Sequence, residues 1–425
     1  MAADIGEVTK SGRTLIVCFD GTSNEYNGVP GIGTWFEPGV VSPFFRWGAK
    51  VLDSAFAWYV CAHFRHALLI ECPRYLDQHV IEGYKFLMNN YRVGDKICIF
   101  GFSRGSYTAR ALAGFLHKIG LLPRDNEQQI PFGYKLYKRQ DKNGLELCAG
   151  FKKTFCQDVK VEFVGVWDTV ASVGVLASRT LPFTNSNKAI KTFRHALSLD
   201  EHRAKFKPNY YHRPLRKPQV AAAAKSDSAD NTPNLDSFKS TNSLMQKLKR
   251  GSGRLRKFCK RELEMLFVEG SDSEEEEGIP DTDVLEVWFS GCHADVGGGT
   301  VPDKEVHSLA NISLRWMVRE VQQARCGIIF DEKALFRYGI PRVVFEANTI
   351  TKVEEPTVPE QDAEREERLD SVDALQPMYD QLKVGNKLWW ILELVPLTHV
   401  WQDQNREWHS KLRYVQLFQS RSSRG

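Results

Sequence analysis

The residues best suited to chemistry begin with a serine between two glycines, in the pentapeptide G-F-S-R-G at 101–105. An apolar, β-prone run at 97–100 precedes it, and apolar residues at helical spacing follow it. A serine at such a strand-to-helix turn, the nucleophile elbow, exposes its hydroxyl near the positive end of a helix. Gly101 and Gly105 would relieve the crowding of this turn. The pattern predicts Ser103 as a nucleophile, although a short motif also arises by chance.

An acidic partner for this serine is predicted at the end of the next strong strand, within 159–173. This segment contains W-D-T at 167–169. An aspartate after a buried strand, downstream of the serine, can accept the Nδ1 hydrogen of a histidine and fix its tautomer. The alternative is that Asp168 caps the element that follows.

A histidine that could complete the set lies in the stretch G-C-H-A-D-V-G-G-G at 291–299. Apolar residues alternate as in a strand over 284–289, so His293 is predicted in a glycine-rich loop at a strand end. Asp295 in the same loop is expected to cap the following segment or to support the loop backbone. The glycines would also suit a phosphate site, but the spacing G-x-x-x-x-G-K-[ST] is absent.

The chain order Ser103, Asp168, His293 is the order of the catalytic triad in α/β hydrolases. In that chemistry the serine attacks an ester carbonyl, the histidine takes the serine proton, and the aspartate orients the histidine. The same three residues would also serve an amidase or a peptidase. His399 is a rival for the histidine, but it follows a proline in a polar context and ranks below His293.

An oxyanion site is expected from backbone N–H groups on both sides of the serine. Arg104 would supply one N–H, and Gly21 or Thr22, in the loop after the first strand, would supply the other. The alternative is that Asp20-Gly21 is only a turn that ends the strand.

The elements that must position these residues alternate between strands and helices, which predicts an α/β fold. We expect a mostly parallel central sheet with helices on both faces. The remaining predicted elements are a strand at 13–21, a helix at 76–90 after a break at Pro73, a short helix followed by a loop at 193–209, an amphipathic helix at 308–326, an acidic loop at 351–377 and a short aromatic element at 387–395.

One hydrolase-type domain in two parts is predicted, at 11–216 and 284–400. Between them, 217–283 is biased and charged, with a basic run and then an acidic run, and is predicted to be a largely disordered insertion. Residues 401–425 are assigned to a C-terminal tail. The two opposite charge runs offset each other, so a solvated insertion is favoured over a nucleic-acid or lipid contact.

Composition and charge indicate which classes of protein the sequence favours and which it does not. The chain has 425 residues, 42% of them hydrophobic, and a formal net charge of only +4, which gives no argument for nucleic-acid binding. Nine cysteines without C-x-x-C pairs are typical of reduced thiols in the cytoplasm. No apolar leader and no transmembrane span are predicted.

No cofactor is predicted, because a serine triad and an oxyanion site need no metal. His63, His66 and His79 lie close together in sequence, but no Cys, Asp or Glu accompanies them at ligand spacing. We therefore expect no metal site there.

Five segments together resemble one family: F-D-G-T-S-N at 19–24, G-F-S-R-G-S-Y-T-A-R-A-L-A-G at 101–114, V-W-D-T-V-A-S-V-G at 166–174, D-E-H-R-A-K-F-K-P at 200–208 and F-S-G-C-H-A-D-V-G-G-G at 289–299. This family is the uncharacterised α/β-hydrolase domain that also forms the catalytic part of the type VI secretion phospholipase effectors. Many of its members are fungal. The resemblance extends over roughly 13–321 without the charged insertion.

The resemblance implies Ser103 as nucleophile, Asp168 as acid and His293 as base. It implies an ester substrate, and the bacterial effectors point to a lipid ester, with transient contact to a membrane surface. Two departures, after Gly28 and at 60–74, would remove a central strand and interrupt a helix. These departures and the charged insertion favour a second hypothesis, a catalytically impaired scaffold that binds a partner.

Overall fold

The computed structural model describes 13–20, 68–170, 181–203, 206–212, 282–301, 305–340, 343–347, 354–357, 359–384, 397–402 and 408–413. Nearly all of these residues belong to one compact unit, and a second unit comprises 213–279 and 401–409. Several predictions concern residues outside the described ranges. They are the charged insertion up to residue 281, the first part of the segment 60–74, the region after Gly28 and the aromatic element at 387–395.

The core of the fold is a five-stranded sheet whose spatial order equals its chain order. All four strand pairings are parallel, which confirms the α/β class. The strands are β1 (Thr14–Phe19), β2 (Lys96–Phe102), β3 (Val161–Trp167), β4 (Ile190–Ser198) and β5 (Asp283–Phe289). Because the strands run the same way, their carboxyl ends meet at one edge of the sheet.

Helices cover both faces of this sheet, as predicted. In β2, Ile97 and Ile99 pack into one hydrophobic cluster, and Cys98 and Phe100 pack into the other. The first cluster includes residues of α1 (Leu68–Asn90), α2 (Arg104–Ile119), α3 (Ile130–Tyr137) and α4 (Lys142–Phe155). The second includes residues of α5 (His293–Gly297) and α6 (Ala310–Gln323). Burial on both faces explains why this strand has a continuous apolar sequence.

The remaining elements lie in the C-terminal part. They are α7 (Glu332–Arg337), β6 (Val344–Ala347), β7 (Glu354–Thr357), α8 (Glu360–Ala374), α9 (Gln381–Val384), β8 (Leu397–Gln402) and β9 (Trp408–Arg413). Strands β6 and β7 pair with each other, and so do β8 and β9. Strand β9 therefore falls within the segment assigned to a C-terminal tail.

The helix predicted within 193–209 is wrong, because 190–198 forms β4. Every position of β4 except Lys191 is buried, so polar and apolar residues do not alternate and no strand period is visible. The break predicted at Pro73 is also wrong, since α1 begins at Leu68 and continues through the proline. Pro73 is the sixth residue of α1, so it removes a single intrahelical hydrogen bond, and only the turn before it is affected.

The acidic loop predicted at 351–377 is wrong for most of its length, because it contains β7 and α8. The acidic side chains of α8 bind arginines of α6. Arg315 Nη2 lies 2.7 Å from Asp373 Oδ2, and Arg319 Nη1 lies 2.8 Å from Glu366 Oε2. These long-range ion pairs stabilise a helix that has no apolar stripe in its sequence.

Two predictions from the sequence, reduced cysteines and no membrane-spanning helix, can be compared with the described part of the chain. The six cysteines whose side chains are described are free. None of the described helices is long and apolar enough to cross a membrane.

Candidate active site

Ser103 lies at the turn between β2 and α2, at the carboxyl edge of the sheet. Its backbone has φ 58° and ψ −120°, a conformation that is strained for a residue with a side chain. The Ser103 N–H donates to Trp167 O over 3.0 Å, which continues the β2–β3 ladder beyond the last strand residue. The strained turn is therefore held by the neighbouring strand, and Ser103 is 6% exposed.

The two glycines of the pentapeptide are required by close backbone contacts. A Cβ on Gly101 would lie 2.6 Å from Gly105 O. A Cβ on Gly105 would lie 2.2 Å from Phe19 O and 2.4 Å from Asp20 O. The end of β1 thus packs directly against the start of α2, and only glycine fits at these positions.

Asp168 follows β3 directly and is fully buried. It has a positive φ of 38°, and its N–H donates to Ala196 O of β4 over 2.7 Å. Its carboxylate Oδ1 accepts the Ser198 N–H over 3.1 Å. These two interactions hold the Asp168 backbone and one of its carboxylate oxygens against β4.

His293 is brought to Ser103 and Asp168 from a distant part of the sequence. Its Nδ1 lies 2.6 Å from Asp168 Oδ2, and its Nε2 lies 2.7 Å from Ser103 Oγ. An ionised carboxylate only accepts hydrogen bonds, so Nδ1 carries the hydrogen and Nε2 accepts from the serine hydroxyl. This continuous hydrogen-bonded arrangement has the geometry that proton transfer from serine to histidine requires.

The loop predicted around His293 is instead the one-turn helix α5. The Cys292 side chain accepts the Asp295 N–H, and Asp295 Oδ2 accepts the Cys292 N–H over 2.9 Å. Asp295 Oδ2 also accepts the Tyr379 N–H over 3.0 Å. Asp295 therefore supports the backbone around His293, as one of the two sequence interpretations expected. Burial raises the pKa of Asp295, and its N–H donors oppose the rise.

The region that carries these three side chains matches a known family model. The model is described as the catalytic domain of the T6SS phospholipase effector Tle1-like proteins, and it matches residues 13–320. The chain belongs to this family. The matched region extends from β1 into α6 and contains Ser103, Asp168 and His293, and the family is one of phospholipase-type hydrolase domains.

Three known proteins are similar to this chain over 72% to 79% of its length. The uncharacterised yeast protein YEL023C of Saccharomyces cerevisiae is 29% identical over 413 residues, which cover 78% of this chain and 60% of the yeast protein. A crystal structure of an uncharacterised Pseudomonas aeruginosa protein is 17% identical and has a TM-score of 0.28, over 72% of this chain and 33% of the other. The Tle1 effector bound to the VgrG spike is 12% identical and has a TM-score of 0.25, over 79% and 67%.

This member of the Tle1-like family thus spans about three fifths of the length of the yeast relative. The two structural similarities are too low to support an argument about the site.

His195 was not singled out in the sequence, yet it supports the Asp168 segment from within β4. It is fully buried, its Nε2 accepts the Thr169 N–H over 3.0 Å, and its Nδ1 lies 2.9 Å from Glu286 Oε1. Burial lowers the pKa of His195, and the Glu286 carboxylate opposes this. No sequence signal marks His195, because its role comes from the pairing of β4 with β3 and β5.

The positions expected to bind an oxyanion are only partly described. Arg104 is the first residue of α2, where helix N–H groups have no intrahelical acceptor. Gly21 and Thr22 lie outside the described residues. The contact between Gly105 and the end of β1 does bring Asp20, the residue before Gly21, to the Ser103 turn.

Metal-ligating residue types also meet near His293, in a place the sequence did not indicate. Ligand atoms of His202, Cys292 and Asp380 lie within 4.8 Å of one another. His202 Nδ1 is 3.1 Å from Asp380 Oδ2, and the Cys292 thiol donates to Asp200 O over 3.2 Å. Burial and then the Glu201 carboxylate raise the pKa of the Cys292 thiol, whereas a zinc ligand must be a thiolate. Cys292 and Asp380 each have a hydrogen-bond partner within the protein, and the raised pKa of the Cys292 thiol disfavours a metal site.

The histidines considered as metal ligands in the sequence are only partly described. His79 pairs with Glu82 of the same helix, with Nδ1 3.4 Å from Oε2. His63 and His66 lie outside the described residues.

Asp20 gives a testable pH dependence of stability. Burial raises its pKa from 3.8 to about 6, so the folded protein binds this proton more tightly than the unfolded chain. The contribution of Asp20 to the unfolding free energy is therefore greatest at low pH and falls as the pH rises through this window. We expect Asp20→Asn to melt at a higher temperature than wild type near pH 7, with the difference shrinking towards about pH 4. A difference that does not change with pH would contradict this assignment.

Proposed function

We propose that this protein is a serine hydrolase that cleaves carboxylic esters, with lipid esters as its substrate class. One observation carries the proposal, the hydrogen-bonded chain from Ser103 Oγ through the His293 ring to Asp168 Oδ2. Membership of a Tle1-like phospholipase family supports the ester and lipid parts of it. The strained serine turn at the carboxyl end of β2 is the context in which such a nucleophile operates.

In the proposed reaction Ser103 Oγ attacks the ester carbonyl carbon while His293 Nε2 takes the hydroxyl proton. The tetrahedral intermediate collapses, the C–O bond to the alcohol breaks, and His293 returns the proton to the leaving alcohol. Water then attacks the acyl-enzyme in the same way and releases the acid. Throughout, Asp168 holds the Nδ1 hydrogen and stabilises the imidazolium.

The oxyanion of the intermediate would be bound by backbone N–H groups. Arg104 at the start of α2 supplies one, and Gly21 or Thr22 supplies the other. A single donor of this kind contributes about 3–4 kcal/mol to transition-state stabilisation in comparable enzymes. The steps need no metal or cofactor, and a substrate held in a lipid surface would require only transient contact with that surface.

Labelling of the full chain with a fluorophosphonate probe tests the proposal. The phosphorus of the probe bonds to the serine oxygen as fluoride leaves, and this needs a serine activated by its histidine. We expect wild type to be labelled on the peptide that contains Ser103, and Ser103→Ala to lose the label. Ser371→Ala is the matched control, because Ser371 is an exposed serine of α8.

Two results would overturn the proposal. One is a folded wild type that takes up no label, which would favour the scaffold hypothesis. The other is Ser103→Ala labelled as fast as wild type. If wild type is labelled, assays of the unlabelled protein on phospholipid and short-chain ester substrates will define the substrate.

A further inference from the structure

The motif D-E-H-R-A-K-F at 200–206 has no part in the proposed mechanism, yet it lies against His293. It follows β4, the strand that also binds Asp168. Glu201 is 3% exposed and Arg203 is 7% exposed, so both charges are buried. Burial of two charges costs desolvation free energy and gives little net stability even when they pair, so stability alone does not account for them.

Glu201 links Arg203 to the backbone of His293. Its Oε2 accepts the His293 N–H over 3.2 Å, across 92 residues of sequence, and accepts Arg203 Nη2 over 2.8 Å. Its Oε1 accepts both Nε and the backbone N–H of Arg203, each over 2.8 Å. The carboxylate therefore has four N–H donors and a fixed orientation.

Arg203 also reaches the ring of His293, through an aromatic residue. Its guanidinium carbon lies 3.5 Å from the centre of the Phe206 ring. The Phe206 ring in turn meets the His293 ring edge-on, with centroids 4.9 Å apart and planes at 71°. A second ring, Phe102, contacts the His293 ring with centroids 4.7 Å apart. The imidazole thus contacts two aromatic rings.

We propose that Glu201, Arg203 and Phe206 form a positioning clamp for His293. The clamp aligns the imidazole between Ser103 and Asp168, and its two opposite charges lie beside the His293 backbone and ring. This inference rests on the proposed function and adds three positioning residues to it.

The charges of Glu201 and Arg203 can be tested one at a time, because they have opposite signs and separate substitutions remove them. Among the described residues, the charged and titratable groups around His293 come from four places. They are Arg104 at the start of α2, Asp168 after β3, Asp200, Glu201, His202 and Arg203 after β4, and Cys292, Asp295 and Asp380 beside α5. Among the described residues of this set, Glu201 and Arg203 form an ion pair, and the Glu201 carboxylate also accepts the His293 N–H.

Removing one charge of the pair should therefore displace the acid limb of the pH–rate profile, and the direction depends on which charge is removed. Glu201→Gln keeps an acceptor oxygen for the His293 N–H but leaves the Arg203 cation uncompensated, which disfavours the imidazolium. His293 then stays an active base down to lower pH. Arg203→Gln leaves the Glu201 anion, still held by two backbone N–H donors, which favours the imidazolium. The acid limb should then move to higher pH.

The experiment measures the rate of fluorophosphonate labelling of the full chain against pH. We expect the midpoint of the acid limb to move by about 0.5–1 pH unit, downward in Glu201→Gln and upward in Arg203→Gln. Phe206→Leu removes the edge contact without a change of charge. It should lower the plateau rate about tenfold and leave the acid limb at its wild-type pH.

Glu320→Gln is the matched control, because Glu320 forms a buried ion pair with Arg194 that does not contact His293. It should lower the melting temperature and leave the acid limb unchanged. The clamp is overturned if wild type is labelled and the acid limbs of Glu201→Gln and wild type coincide. If Arg203→Gln does not fold, Glu201→Gln and Phe206→Leu decide. Absence of label in wild type would instead contradict the proposed function, so the two failures are distinct.

Discussion

Asp168→Asn is expected to lower the rate of ester hydrolysis about 10,000-fold while the protein remains folded. Asp168 Oδ1 accepts the Ser198 N–H, so an asparagine must keep its carbonyl oxygen on that side. Its NH₂ group would then face His293 Nδ1 and donate to it. This forces the hydrogen onto Nε2, and Nε2 can no longer accept the proton of Ser103.

The hydrolysis rate, the labelling rate and the melting temperature of this variant should be measured together. Asp95→Asn is the matched control, because the Asp95 carboxylate binds Arg13 beyond the opposite end of β2. It should lower stability without a comparable loss of rate. A hydrolysis rate for Asp168→Asn within tenfold of wild type would exclude Asp168 as the partner of His293.

Gly105→Ala is expected to lower both stability and activity. The added Cβ would lie 2.2 Å from Phe19 O and 2.4 Å from Asp20 O, and neither backbone oxygen can move without a shift of β1 against α2. Overpacking of this kind costs about 1–3 kcal/mol of unfolding free energy. A displacement of Ser103 of about 1 Å would lower the hydrolysis rate about 100-fold.

Urea unfolding and hydrolysis assays check this prediction, and Gly150→Ala provides the matched control. Gly150 lies in α4, and a Cβ there would meet nothing within 4 Å. We expect Gly150→Ala to gain up to about 1 kcal/mol, because alanine favours a helix over glycine, and to keep its activity. Wild-type stability and activity in Gly105→Ala would show that the turn is not as tightly packed as its distances indicate.

The sequence predicted those helices and strands that have a clear local pattern of apolar residues. The apolar runs of β2 and β3, and the amphipathic pattern of α6, were found because each has a clear period or a continuous buried run. Strand β4 was mistaken for a helix, because burial on both faces removes the alternation that distinguishes a strand. Helix α8 was missed because it has no apolar stripe. Ion pairs with Arg315 and Arg319 stabilise it instead.

The candidate site likewise contains residues that the sequence predicted and residues that it did not. The sequence supplied Ser103, Asp168 and His293 and their order along the chain, because each stands beside a strand end or a glycine-rich turn. It gave no sign of His195, which binds the Thr169 N–H from the neighbouring strand. It also gave no role to Glu201, although the motif that contains it was part of the family resemblance.

The sequence by itself determined the α/β class, the family and a short list of residues able to do ester chemistry. These follow from local spacing, which the chain carries wherever it folds. Only the tertiary structure decided that His293 lies 2.7 Å from Ser103 and 2.6 Å from Asp168, and that the Glu201 carboxylate reaches the His293 backbone. Those contacts join residues about 90 to 190 positions apart. They depend on which strands pair and in what register, and no local pattern encodes that pairing.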